Sequence, residues 1–123
     1  MERAKVIKDE IFDQNLHYLA VYIETKNSCL VLLSENEDKL GTMAIAIPKT
    51  KNSTASPLSS VLLGEKNTIL TRTFAEYIAS QKEKIAIVSI YLGNTNEVQA
   101  QSILRKLVEK IIQVEAKKER VTT

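Results

Sequence analysis

The pattern of apolar and polar positions changes halfway along the chain. The first half contains short β-rich segments without helical periodicity, and the predicted strands span residues 4–12, 16–25, 28–34 and 40–47. Turn-forming residues such as Asn and Asp occupy the connections, and Lys26-Asn27 is short enough for a tight hairpin. The first half therefore predicts an antiparallel meander of consecutive strands.

A polar segment, residues 48–58, separates the two halves. It begins at Pro48, which ends the fourth strand, and it is rich in Lys, Ser, Thr and Asn without an apolar period. We expect a solvated loop there. Residues 58–63 then predict a short fifth strand, and Gly64 releases the chain into a turn.

The second half predicts two helices with a strand between them. Apolar residues at i, i+4, i+7 and i+8 from Leu70 favour a helix over residues 68–82, capped by Asn67 or Thr68. Residues 84–92 are apolar at both parities, which is typical of a central strand covered on both faces.

The second helix follows Asn94 and Glu97, whose spacing matches that of a reciprocal capping box. Its apolar stripe is wide and continues to Val114, which indicates deep packing. We expect this helix to end near residue 116. The charged tail, residues 117–123, is expected to be frayed and solvated because it has no apolar support.

The parity of apolar residues within the strands predicts how the domain is completed. In the second strand neither parity is polar: Leu19, Val21 and Ile23 alternate with Tyr18, Ala20 and Tyr22. Two helices cover only one side of such a sheet, and monomers rarely expose so large an apolar surface. We therefore expect an obligate dimer, in which a second sheet packs face to face about 10 Å away.

Tyr18 and Tyr22 are candidates for the dimer interface, because tyrosine offers large contact area with a polar tip. Core packing beneath a helix is the equally weighted alternative. The predicted fold class is α+β: a single domain over residues 1–123, with an antiparallel β-sheet of five to six strands and two helices on one face. The other sheet face is the expected dimer surface.

Charge and composition limit the kinds of partner and the cellular location that the sequence predicts. The 17 basic and 15 acidic residues are interspersed, which is too balanced for a nucleic-acid footprint. The longest apolar runs are strand-sized, so no membrane span is expected. The single Cys29 and the lack of a basic-then-apolar leader predict a cytoplasmic location.

Few residues suggest catalytic chemistry. His17 is the only histidine, and we expect a packed or hydrogen-bonded structural role for it. Cys29 has no Cys or His neighbour at ligand spacing and is expected to be a buried thiol. The acidic residues Glu35, Glu37 and Asp38 lack calcium-loop spacing and predict a solvated turn. We expect no enzyme activity, no metal and no cofactor.

Several segments in the second half resemble the proteasome assembly chaperone 4 family, within the proteasome assembly chaperone 3/4-like group. They are Leu62-Leu63-Gly64, Ala86-Ile87-Val88-Ser89 and Leu92-Gly93-Asn94-Thr95-Asn96. Upstream, Leu16-His17-Tyr18-Leu19, Ser28-Cys29-Leu30-Val31-Leu32 and the segment 40–46 are similar, in order, to the second, third and fourth strands of that family.

The resemblance implies a non-catalytic chaperone that pairs with a second copy or a like-folded paralogue. Such a protein holds proteasome α-type subunits while the α ring of the 20S particle assembles. The chain ends Arg120-Val121-Thr122-Thr123, which differs from the hydrophobic-tyrosine-any residue tail of the other assembly-chaperone class. Client binding would therefore use a face or a loop.

Lys49 and Lys51 are candidate client contacts that would meet an acidic patch, with a merely solvated loop as the alternative. The positions that match the family pattern are interpreted as structural, in turn geometry and helix capping: Leu63, Gly64, Asn94 and Thr95.

Two other functions stay open at the level of sequence. One is a small dimeric scaffold or adaptor of another intracellular complex, which would share the strand pattern and the apolar dimer face. The other is an enzyme or small-ligand binder with a cleft at the dimer seam, for which His17 is the obvious proton carrier.

Overall fold

The computed structural model describes residues 3–49, 58–93 and 97–121. The elements follow in the order β1 (Lys5–Asp13), β2 (Leu16–Glu24), β3 (Ser28–Glu35), β4 (Thr42–Ile47), β5 (Leu58–Leu63), α1 (Thr68–Lys82), β6 (Ile85–Tyr91) and α2 (Glu97–Val121). The α+β class is confirmed, and β5 and α1 have the predicted bounds. The helix α2 extends past the predicted end near residue 116.

The strands form one six-stranded sheet in the order β1-β2-β3-β6-β4-β5. The pairs β1–β2 and β2–β3 are the predicted antiparallel meander. The meander then stops, because β6 lies between β3 and β4 and runs parallel to β3. The sheet is therefore mixed rather than wholly antiparallel. A strand that is apolar at both parities is best accommodated in the sheet interior, and β6 occupies that place.

Both helices pack on the same face of the sheet. The helix α1 contacts β4, β5 and β6, and α2 contacts β1 and β2. Alternate residues on this face form the core, among them Ala20, Val31, Leu33, Val88 and Ile90, each at most 1% exposed. From the helices, buried residues include Phe74 and Ile78 of α1 with Leu104, Leu107 and Ile111 of α2. The apolar stripe predicted for α2 faces this core over the described positions from Ala100 to Ile111.

Two close approaches fix the end of the sheet where β4 begins. Gly64, directly after β5, has a φ of 96°, and a Cβ added there would lie 2.5 Å from Thr42 Oγ1. Gly41 donates its backbone N–H to Ser89 Oγ at 2.8 Å. At the start of α1, Asn67 adopts a left-handed conformation with φ 61° and forms no side-chain cap hydrogen bond. The predicted side-chain cap by Asn67 is therefore wrong, because its backbone is committed to the preceding turn.

Candidate interaction surface on the open face of the sheet

The second face of the sheet is apolar, and no described helix packs on it. We call it the open face. It is formed by the strand residues that alternate with the core positions: Leu19, Val21, Ile23, Leu30, Leu32, Met43, Ile45, Ile85 and Ile87, all partly exposed. Val6 and Phe12 of β1 extend this surface at one edge, and Ile47 and Leu58 extend it at the other, each at least 55% exposed.

Polar groups lie at the rim of the open face and also within it, at Ser89 of β6, which is 0% exposed and accepts the Gly41 N–H. On the β1 side, His17 Nε2 lies 3.1 Å from Glu10 Oε2, and the imidazole stacks on the Phe12 ring with centroids 3.9 Å apart. At the end of β3, Ser34 Oγ bonds both the N–H and the C=O of Lys39 at 3.0 Å. The Lys39 ammonium lies 4.9 Å from the centroid of the Tyr91 ring. A largely apolar surface bordered by polar groups is the usual anatomy of a protein interface.

Tyr18 and Tyr22 lie on the helix side of β2, not on the open face. They are 0% and 1% exposed, so the structure places them in the core beneath the helices. The period of two along β2 is the reason, since Leu19, Val21 and Ile23 take the opposite face. The Tyr18 hydroxyl has no hydrogen-bond partner among the described residues.

The hydroxyl of Tyr22 belongs to a buried polar cluster at one end of the sheet. It donates to Glu24 Oε1 at 2.5 Å and lies 3.4 Å from Cys29 Sγ. The Glu24 carboxylate is 4% exposed and meets the ammonium groups of Lys82 at 3.1 Å and Lys84 at 2.6 Å. This cluster connects the end of β2 to the end of α1 and the start of β6.

The cluster explains the pKa shifts of its members. Burial acts to raise the pKa of the Glu24 carboxyl, but hydrogen bonds from Lys84, Tyr22 and Lys82 outweigh burial and lower it. Burial raises the pKa of the Tyr22 hydroxyl and of the Cys29 thiol. A buried thiol with a raised pKa is a poor nucleophile. Lys82 and Lys84 share a carboxylate from a strand about sixty positions earlier in the chain, a pairing that local sequence patterns do not indicate.

Glu35 departs from the sequence-based prediction. It is part of β3, is 5% exposed, and its carboxylate accepts the Gly93 backbone N–H at 2.6 Å. The predicted solvated turn therefore starts one residue later, at Asn36, which has a φ of 69°. The sequence did not predict this hydrogen bond, because a carboxylate beside other acidic residues is typical of a solvent-exposed turn.

The remaining predicted positions are scattered around the sheet. Lys49 is exposed and follows β4, whereas Lys51, Asn94 and Thr95 lie outside the described residues, so the capping box does as well. Leu63 ends β5 and is 47% exposed. Gly64 provides the turn geometry described above.

Within the described residues, no group of three or more His, Cys, Asp or Glu side chains is arranged to hold a metal ion. A cleft of about 440 Å³ lies where β6 ends and α1 begins, lined by Gly41, Thr42, Tyr91 and the segment 65–67. His17 is not among its lining residues. None of the described helices is long and apolar enough to cross a membrane.

Comparisons with known proteins connect this architecture to a solved structure. The chain superimposes with a TM-score of 0.61 on a chain of the "Crystal Structure of a Novel Chaperone Complex for Yeast 20S Proteasome Assembly". The two share 15% sequence identity, and the match covers 96% of each chain. Neither the models of known protein families nor the curated protein sequences give a match. At this identity the likeness shows a shared fold: the chain has the fold of a chain from that chaperone complex.

Proposed function

We propose that this protein is a proteasome assembly chaperone of the proteasome assembly chaperone 3/4-like group. In this proposal it acts in the cytoplasm as a dimer, binds proteasome α-type subunits and promotes formation of the 20S α ring without catalysing a reaction. The observation that carries the proposal is the open face, an apolar sheet surface on a fold shared with a proteasome assembly chaperone complex.

The dimensions of the open face suit one partner sheet. Six strands about 4.8 Å apart, each about 20 Å long, give a plane of about 24 by 20 Å before the relief of the side chains is counted. Stable interfaces bury about 800 Å² on each partner, and a pleated surface of this size with its rim approaches that value. A second, like-folded sheet is the partner whose shape matches, since sheets pack face to face about 10 Å apart.

The resemblance of short segments and the shared fold support the same functional class independently. The segments around Leu63 and Gly64 suggested this group from the sequence, and the shared fold extends over 96% of the chain. A role as a scaffold of another complex would use the same open face, so the client distinguishes the two functions.

The experiment separates dimer formation from client binding. Val21 lies on the open face beside Leu32 and is partly exposed, so Val21→Glu would place a charge in the proposed interface. Ile69 of α1 is 78% exposed, and Ile69→Glu is the matched control. We expect light scattering to give a dimer for the wild type and for Ile69→Glu, and a monomer or unfolded chain for Val21→Glu.

Client binding is measured by capture of purified α-type proteasome subunits on the immobilised protein. We expect the wild type and Ile69→Glu to retain an α-type subunit, and Val21→Glu to retain less. Failure of the folded wild-type dimer to retain any α-type subunit would contradict the chaperone role and favour the scaffold. A stable wild-type monomer would contradict dimerisation. If the wild type dimerises only with a like-folded paralogue added, the heterodimer is its working form.

A further inference from the structure

The two edges of the sheet differ in charge. Five of the nine residues of β1 are ionisable, whereas none of the six residues of β5 is. Charged residues on an edge strand are a common protection against pairing with another chain, because an edge exposes unpaired backbone N–H and C=O groups. Thus β1 carries this protection and β5 does not.

Apolar side chains are exposed along β5. Leu58 is 77% exposed, Leu62 51%, Leu63 47% and Val61 37%. On its inner side β5 pairs with β4, and no described strand pairs with its outer side. Alternate backbone groups of an edge strand point away from the sheet, so the outward groups of β5 have no strand partner among the described residues.

The strand is held in place from the helix side. Ser59 Oγ donates to Glu76 Oε2 at 2.6 Å and accepts from Arg72 Nε at 3.0 Å, which ties β5 to α1. Its register with β4 is regular from Leu58 to Val61, and a bulge then leaves Leu62 without an opposite residue. Because β5 is already ordered, adding a further strand to it loses less conformational entropy, and this favours binding.

We propose that β5 is the site where an extended, apolar-rich segment of the client protein adds to the sheet as a seventh strand. The inference rests on the proposed function, and it identifies the surface that the client uses. Main-chain hydrogen bonds would supply affinity, and pockets for alternate side chains would supply specificity. Apolar client residues would face Leu58 and Leu63, and an acidic residue would lie near the exposed Lys49.

The size of the edge favours a client segment over a second copy of the chain. An edge about 20 Å long and about 10 Å deep offers about 200 Å², far less than the roughly 800 Å² per partner of stable protein pairs. A rigid second copy has the larger open face for dimerisation. An extended segment needs less area here, because its backbone hydrogen bonds add to the side-chain contacts.

The test is hydrogen exchange of the backbone amides, measured for the full chain alone and saturated with a purified α-type subunit. We expect the exchange of β5 amides to slow by at least tenfold in the complex, while β1 amides are unchanged. The variant Leu62→Lys should reduce capture of the subunit by at least tenfold. Val98→Lys, at a 76% exposed position of α2 that lies on neither β5 nor the open face, is the matched control and should leave capture unchanged.

Light scattering on both variants separates a loss of client binding from a loss of dimerisation. Each variant should retain the oligomeric state of the wild type. A complex that forms without protection of β5 would overturn this inference and leave the proposed function standing. Protection of β5 in the free protein that disappears on dilution would identify a second copy as the occupant and overturn it too. No capture by the wild type would overturn the proposed function and this inference together.

Discussion

Replacing Glu24 with glutamine would remove the negative charge from the buried cluster while nearly preserving the shape of the side chain. The carboxylate is 4% exposed, and its three partners lie 2.5 Å (Tyr22), 2.6 Å (Lys84) and 3.1 Å (Lys82) away. Removing one member of a buried ion pair typically costs about 3–5 kcal/mol, because the other charge remains without compensation.

The cost for Glu24→Gln should lie below that range. The amide keeps one oxygen acceptor, and the Lys82 and Lys84 side chains are 11% and 24% exposed, so water solvates part of their charge. We expect a loss of about 2–3 kcal/mol in the free energy of unfolding at pH 7. For a chain of this length each kcal/mol lowers Tm by roughly 3–5 °C, so the expected decrease is about 6–15 °C.

The pH dependence gives the sharper test. The pKa of the Glu24 carboxyl is lowered in the folded protein. The ionised form therefore stabilises the fold at pH values above the ordinary glutamate pKa of about 4.3, and this stabilisation is lost as pH falls through the lowered pKa. Urea unfolding followed by circular dichroism between pH 7 and pH 3, at constant protein concentration, measures it. The difference between wild type and Glu24→Gln should shrink towards pH 3.

Glu37 provides the matched control, because it is 75% exposed and only 3.6 Å from the exposed Lys39 ammonium. Glu37→Gln should change the free energy of unfolding by less than about 0.5 kcal/mol at pH 7. A Glu24→Gln difference that stays constant from pH 7 to pH 3, or one no larger than that of Glu37→Gln, would refute the role assigned to the cluster.

Three further predictions concern the core and the turn after β5. Tyr18→Phe should leave stability unchanged or raise it by about 1 kcal/mol, because the Tyr18 hydroxyl has no hydrogen-bond partner among the described residues. Tyr22→Phe should lower stability by about 1–3 kcal/mol, because the Tyr22 hydroxyl donates to Glu24; urea titration would show any reversal. Gly64→Ala should cost about 2 kcal/mol or more by thermal denaturation, since its φ is 96°; an unchanged Tm would contradict the strain. Cys29 should resist a thiol reagent until urea unfolds the chain, and rapid native labelling would contradict its burial.

Local patterns of apolar and polar residues were sufficient to predict most helices and strands. The helical spacing from Leu70 predicted α1 with its observed bounds, and β5 was bounded correctly by its polar flanks. Asn67 is the N-cap residue, as one of the two predicted candidates, but its predicted side-chain hydrogen bond is absent. Its backbone is left-handed, whereas a capping side chain normally belongs to a residue with extended backbone. Glu35 was assigned to a turn because its backbone partner at Gly93 is 58 positions away.

The parity of the strands predicted that one apolar face would remain uncovered, but not which side chains would occupy it. Tyr18 and Leu19 were equally suitable for either face on hydrophobicity alone. The helices decided between them, since the face on which α1 and α2 pack became the core. The candidate surface therefore moved from the tyrosines to the intervening aliphatic residues.

The sequence by itself determined the class of fold, the number and order of the elements, and the surplus of apolar strand surface over helices able to cover it, because these depend on periodicity and composition along the chain. The tertiary structure alone decided that β6 lies between β3 and β4, that Glu24 meets two lysines, and that β5 forms an uncharged edge. These features depend on contacts between residues far apart in the chain, and their energies enter only when the sheet and helices have packed together.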